Sequence, residues 1–169
     1  MSLHGSDLLR AVAVGAGATF LMDLWNLVLK RVFGIPSLNL CLLGRWVLHM
    51  AKDRFLHASI AAAEPQPHEC PVGWVAHYAT GVMFAVAFVF LVAADTWLAR
   101  PTLWPALLYG VITVVFPFFV MQPAFGAGIA SSRAPRPTQS RLKSLGTHIV
   151  FGLGLYGCAR ALSYIVPTA

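Results

Sequence analysis

Charge is what this sequence has least of. Only 11% of its 169 residues are Asp, Glu, Lys or Arg, against about 25% in an ordinary soluble domain. A water-soluble domain of this length must cover a large surface with polar atoms. With 58% apolar side chains the chain has too few of them. The shortage excludes a typical soluble globule and makes the lipid bilayer the natural solvent. Acids are scarcer still, 6 against 12 bases, for a net charge of +6. The bases lie between apolar runs and form no aromatic-interleaved patch, so the excess does not indicate nucleic acid. Juxtamembrane charge accounts for it better. The three cysteines, Cys41, Cys70 and Cys158, are odd in number and lack C-x-x-C spacing. On that reading neither a disulfide framework nor a zinc ribbon is expected. Also absent are a P-loop, a G-x-G-x-x-G opening a helix after a strand, G-x-S-x-G and H-E-x-x-H, which argues against the familiar soluble chemistries. The first apolar run lacks an A-x-A cleavage site and contains Asp23, so it reads as a retained helix.

What is present is apolar length. Four runs, at about 8–32, 72–94, 103–122 and 145–166, each suffice to cross roughly 30 Å of hydrocarbon as a helix. The expected fold is an all-α integral membrane four-helix bundle. Pro71 and Pro105 lie near helix starts, where a missing N–H is harmless. Pro117 is interior to the third run and should kink it. Trp25, Trp74, Trp97 and Trp104 near the span ends suit an aromatic belt.

The first long loop carries more than linker composition. Over about 38–63, Leu43, Trp46, Val47, Met50 and Leu56 recur at helical spacing. Arg45, His49, Lys52, Asp53 and His57 fall largely on the opposite face, the pattern of an amphipathic helix lying in the headgroup region. Pro65 and Pro67 end it. The second loop, 123–144, is rich in Gly, Ser, Pro and Arg and suits contact with anionic lipid. The two loops and their flanks hold Lys30, Arg31, Arg45, Lys52, Arg54, Arg133, Arg136, Arg141 and Lys143, nine of the twelve bases. Arg10, Arg100 and Arg160 lie on the other side. The positive-inside rule puts both loops in the cytoplasm and both termini outside.

A duplicated hairpin is also readable. Phe20-Leu-Met-Asp23 closes the inner part of span one, as Phe119-Val-Met-Gln122 closes span three. Span two carries Gly73-x-x-x-His77-x-x-x-Gly81 and span four Ser144-x-x-x-His148-x-x-x-Gly152. Spans one and three run the same way, so the halves would be parallel repeats about an axis along the membrane normal. Asp23, His77, Gln122 and His148 would then share one depth near the cytoplasmic face.

An ionisable group inside a span costs roughly 2.5–3.5 kcal/mol at a helix centre and normally faces the bundle interior with a partner. Asp23 is the clearest case, either as a structural hydrogen bond or ion pair, or as a proton, cation or solute site. The small residues flanking His77 and His148 let another helix approach closely. They equally leave room for a flat cofactor, and two imidazoles from different helices are the ligand set of a b-type haem. With Asp23 they match a two-His, one-carboxylate metal site. A four-helix cytochrome would carry further His pairs, which this sequence lacks. Glu69 precedes span two and favours the positive helix N-terminus, with His77 or a shared ion also in reach. His49, His57 and His68, in loop or interfacial contexts, read as solvated, and Arg160 reads as snorkelling or pairing with Asp95.

Three stretches carry a family resemblance: Glu69-Cys-Pro-Val-Gly-Trp-Val-Ala-His77-Tyr-Ala-Thr-Gly81, Met121-Gln-Pro-Ala-Phe-Gly-Ala-Gly-Ile-Ala-Ser-Ser-Arg-Ala-Pro-Arg-Pro137 and Ser144-Leu-Gly-Thr-His148-Ile-Val-Phe-Gly-Leu-Gly-Leu-Tyr156. With Met22-Asp23-Leu-Trp25 and Gly44-Arg45-Trp46 they resemble the bacterial membrane proteins grouped as domain of unknown function 2938. The resemblance spans nearly the whole chain and implies a multi-pass protein of a bacterial inner membrane, with no activity to carry over. The residues themselves point to binding or translocation of a proton, metal ion or small solute by Asp23, His77, Gln122 and His148, with Glu69 at the mouth. The alternatives are a membrane oxidoreductase using haem or a non-haem metal, and a structural subunit of a membrane complex. The bilayer, anionic lipid and a homo-oligomeric or complex partner are the expected associations, and nucleic acid is not.

Overall fold

The computed structural model of the chain describes residues 5–92 and 94–165, including all of their side chains except those of 94 and 95. The expected pairing of Arg160 with Asp95, and His4, therefore lie outside the described side chains. Among the described residues seven α-helices are formed: α1 (Gly5–Phe33), α2 (Leu40–Met50), α3 (Glu69–Leu91), α4 (Ala94–Ala99), α5 (Leu103–Ile112), α6 (Gln122–Ala124) and α7 (Pro137–Ile165). A π-helical segment, Pro117–Met121, and a 3-10 turn, Ile129–Ser131, complete the order, and the described residues contain no strand.

Gly5–Phe33, Glu69–Leu91 and Leu103–Ala124 are long and apolar enough to cross a membrane. Only 28%, 22% and 22% of their most apolar stretches are buried, so large apolar side chains such as Leu9, Val75, Leu91 and Leu108 face outward. Outward apolar faces on this scale suit lipid and not water. α7 is as long as α1 but carries Arg141, Lys143, His148 and Arg160, and it begins earlier than residue 145. The third run does not form one regular helix. α5 ends at Ile112, where Thr113 caps it and its hydroxyl donates to the Gly110 carbonyl at 2.6 Å. The expected distortion at Pro117 takes the form of the π segment, with the missing proline N–H as its local cause.

The chain divides into two compact units. The first comprises Met1–Pro36, Tyr78–Thr113 and Thr147–Ala169. Its core gathers Val14, Ala18, Phe88, Val89, Phe151 and Leu155. Phe88 meets Trp97 edge-on with ring centroids 4.7 Å apart. Trp97 is buried there and its indole N–H donates to the Thr102 carbonyl, so it belongs to the core and not to an aromatic belt. Lipid tails are as apolar as leucine, so burial contributes little between membrane helices and close contact must hold them. Small residues supply it. A Cβ on Gly15 would lie 2.8 Å from the Val82 Cα, one on Gly152 2.9 Å from the Leu107 Cα, and one on Gly154 2.9 Å from the Ala18 Cα. The spacing around His148 thus serves helix packing at Gly152.

The second unit comprises Ser37–His77 and Val114–Gly146. Asn39 starts α2, its side-chain oxygen accepting from the Cys41 amide at 3.0 Å. The helix stops at Met50, and Asp53 at φ 57° turns the chain back, so an amphipathic helix over 38–63 is not formed. Most of the supposed solvent face is turned inward: Arg45, His49 and His57 are buried, while Lys52 and Asp53 are exposed. A helical wheel separates polar from apolar positions but does not say that the polar side faces water. Here it faces the carbonyls of the returning loop. Trp46 packs edge-on against Phe55 and Phe125, and its indole N–H donates to the Phe55 carbonyl at 2.9 Å.

The cysteine expectation is also overturned. Cys41 and Cys70 are joined by a disulfide, 29 residues apart in sequence. The backbones of α2 and α3 come together because Gly44 and Gly73 lack side chains. A Cβ on Gly44 would strike the Glu69 carbonyl, and one on Gly73 the Leu40 carbonyl.

Candidate functional site

The most elaborate polar structure lies in the second unit, and Arg45 is its hub. Its Nε and Nη2 donate to the two Glu69 carboxylate oxygens at 2.8 and 2.9 Å, a bidentate ion pair. Its Nη1 donates to the carbonyls of Ile60, Ala61 and Ala63 at 3.3, 3.1 and 2.9 Å. One planar fork thus ties α2, the loop and the start of α3 together, as arginine geometry allows and lysine geometry does not. The hydrogen-bonded carboxylate holds the Arg45 pKa above its ordinary value. Glu69 also accepts from the Gln66 amide at 3.0 Å, three residues upstream, as in half of a capping box.

One turn beyond Arg45, His49 is buried and forms a relay. Its Nε2 lies 3.0 Å from the Glu64 carbonyl, and its Nδ1 lies 2.9 Å from the His57 Nε2. A carbonyl only accepts, which puts the proton of neutral His49 on Nε2 and leaves its Nδ1 bare. With that tautomer His57 donates from Nε2, and its Nδ1 is buried, with the Ala124 and Phe55 carbonyls acting on the ring. Burial pushes the His57 pKa down, with the neighbouring His49 and Arg54 adding to the effect, so the neutral tautomer is favoured. The loop is pinned by the His57 and Ile60 amides, which donate to the Ala124 and Phe125 carbonyls at 2.9 and 3.1 Å. A cleft of about 290 Å³ opens beside the relay, walled by His57, Arg54, Ser59, Leu56 and three alanines.

The five residues singled out from the sequence are divided between the units. Asp23 and His148 belong to the first, and Glu69, His77 and Gln122 to the second. Within the first unit Asp23 shares a side-chain hydrogen bond with Tyr78. Asn26, one turn on, accepts from the Thr147 hydroxyl at 3.4 Å, and the Thr113 hydroxyl and His148 Nδ1 are 2.8 Å apart. Within the second unit Gln122 donates to the Ser144 hydroxyl at 3.2 Å. Glu69 serves Arg45, while His77 has the Trp74 ring edge-on at 6.5 Å. Among the described residues no three of His, Cys, Asp and Glu are gathered as a metal site. His49 and His57, read from the sequence as solvated, are buried and paired, whereas His68 is exposed. The one sequence signal for them was their placement with Arg45 on a single polar face.

These features define an all-helical protein with membrane-length apolar helices and a folded, disulfide-linked polar loop. The chain belongs to the family described as Protein of unknown function (DUF2938), whose profile matches residues 12–162. No curated protein and no solved structure matches it.

Proposed function

We propose that this chain is a four-helix protein of a bacterial cytoplasmic membrane that binds or translocates a proton or small polar solute at a site built on Asp23. The observation carrying this reading is the Asp23–Tyr78 hydrogen bond inside a helix otherwise suited to lipid. A carboxyl group at such a depth is costly unless it faces partners in the bundle interior. The neighbouring Asn26–Thr147 and Thr113–His148 pairs extend the polar surface within the same unit. α7 serves as the fourth span in this reading. The Cys41–Cys70 bond favours an oxidising compartment for the first loop. That orientation, with both termini in the cytoplasm, is opposite to the one the count of basic residues gives. The count loses weight because Arg45 is neutralised by Glu69.

The test is uptake and binding by the purified chain in vesicles with Asp23→Asn. The variant should lose proton or solute flux while retaining its helical spectrum, and Asp23→Glu should restore part of it. If Asp23→Asn instead fails to assemble and Asp23→Glu rescues only folding, Asp23 is structural. A Soret band or stoichiometric iron in the preparation would transfer the reading to haem or non-haem metal chemistry.

A further inference from the structure

The pattern Cys-x-x-Gly occurs twice at the start of a helix. In α2 it is Cys41-Leu-Leu-Gly44 and in α3 Cys70-Pro-Val-Gly73, each cysteine standing second in its helix. The glycines let the two first turns cross in reciprocal contact. Gly44 lies against the Glu69 carbonyl, just before Cys70, and Gly73 against the Leu40 carbonyl, just before Cys41. Arg45 grips both carboxylate oxygens of Glu69 across the same crossing. The two turns are therefore clamped by backbone contact and an ion pair as well as by sulfur. A bond whose ends are already held by other forces can open without releasing the fold, and its sulfurs stay opposed for reclosure. The two ends also differ in access, since Cys70 is exposed and Cys41 half-buried.

Exposed disulfides tend to be the labile or catalytic ones, whereas structural bonds resist reduction by thiols. The first turn of a helix also favours a thiolate, here at both ends of the bond. Glu69, the acid next to Cys70, does not oppose that, because Arg45 compensates its charge. We propose that Cys41–Cys70 is an exchangeable disulfide that oxidises a dithiol on a second molecule. A thiolate of the dithiol attacks the Cys70 sulfur and forms a new S–S bond there. The Cys41–Cys70 bond breaks, and its electron pair leaves on the Cys41 sulfur. The second thiolate of the dithiol then attacks its own sulfur in the mixed disulfide and releases Cys70 as a thiolate. The dithiol loses two electrons and two protons to become a disulfide, and Cys41 and Cys70 gain them. This activity is separate from the site built on Asp23.

The experiment uses the full chain in detergent with Cys158→Ser, so that only the pair reports, and dithiothreitol as the first probe. Without denaturant the bond should open, with cyclic dithiothreitol disulfide formed in equal amount to the chain. The helical spectrum and the Trp46 fluorescence should be kept. In a glutathione buffer both the open and the closed form should be populated, and oxidised glutathione alone should close the bond again. In Cys41→Ser, oxidised glutathione should cap Cys70 at least about tenfold faster than it caps Cys41 in Cys70→Ser, because access governs the rate. A bond that opens only on unfolding, stays wholly closed in the glutathione buffer, or unfolds the second unit when it opens is structural, and overturns the proposal. Equal capping rates overturn it as well, since attack at the exposed sulfur is the step that the crossing permits.

Discussion

Replacing Glu69 by Gln removes one charge and almost no volume. The carboxylate accepts three hydrogen bonds, two from Arg45 and one from the Gln66 amide. A glutamine amide presents N–H groups where the guanidinium needs an acceptor, so at least one of the two Arg45 bonds is lost. Breaking a buried ion pair from one side costs about 3–5 kcal/mol. Three carbonyls still hold the guanidinium, and the Glu69 side chain is 15% exposed. Both facts argue for the lower end, about 3 kcal/mol. Because Arg45 ties the 60–63 loop to α2 and α3, the loss should fall on local opening of the second unit and not on the whole chain. Hydrogen exchange reads this directly at the His57 and Ile60 amides, which close the loop onto Ala124 and Phe125. Their protection should fall about 100-fold, as 1.4 kcal/mol corresponds to a factor of ten. Amides in the middle of α1 should keep their rates. A fall of less than about threefold, or an even loss across all helices, would show that Arg45 does not organise the loop.

Two further outcomes follow from the same unit. Ala62→Cys in a Cys158→Ser background should react with a membrane-impermeant maleimide added to intact cells if the orientation proposed from the disulfide holds; reaction only after lysis would restore the orientation given by the basic residues. The low folded-state pKa of His57 makes stability depend on pH in one direction. The unfolded state takes the proton first, so the contribution is present above the ordinary histidine pKa of about 6.5 and is lost as pH falls from there through the folded value. Melting followed by fluorescence, in which Trp46 reports on this unit, should show that decline between pH 7 and 5, and His57→Gln should flatten it.

The apolar helices were legible because span length and composition are local properties. The same is true of the distortion at Pro117, which follows from one missing N–H. The rest was not legible, for three separate reasons. Arg45 and His49 lie on a polar face, and periodicity is blind to whether water or backbone carbonyls meet that face. Cys41 and Cys70 pair only because Gly44 and Gly73 let two helices touch, a contact that 29 intervening residues conceal. Asp23 bonds to Tyr78, whose position beside His77 drew attention to the histidine and away from the phenol. The resemblance did place emphasis on the right stretch, since Gly44-Arg45-Trp46 contains the glycine contact, the ion-pair hub and a core aromatic.

The π segment at Pro117–Met121 is a phase setting. In it the Gln122 amide donates to the Pro117 carbonyl, five residues back instead of four. The surplus residue advances everything after it by about 100° around the helix axis, one residue's share of a 3.6-residue turn. Two residues further on come Ala124 and Phe125, whose carbonyls receive the His57 and Ile60 amides. The azimuth at which those two acceptors are offered is therefore chosen several residues upstream, by a proline without a donor. Deleting one residue between 117 and 121 would restore a regular helix, dial both carbonyls past their partners, and uncouple the histidine relay from its anchor without altering a single residue that touches it.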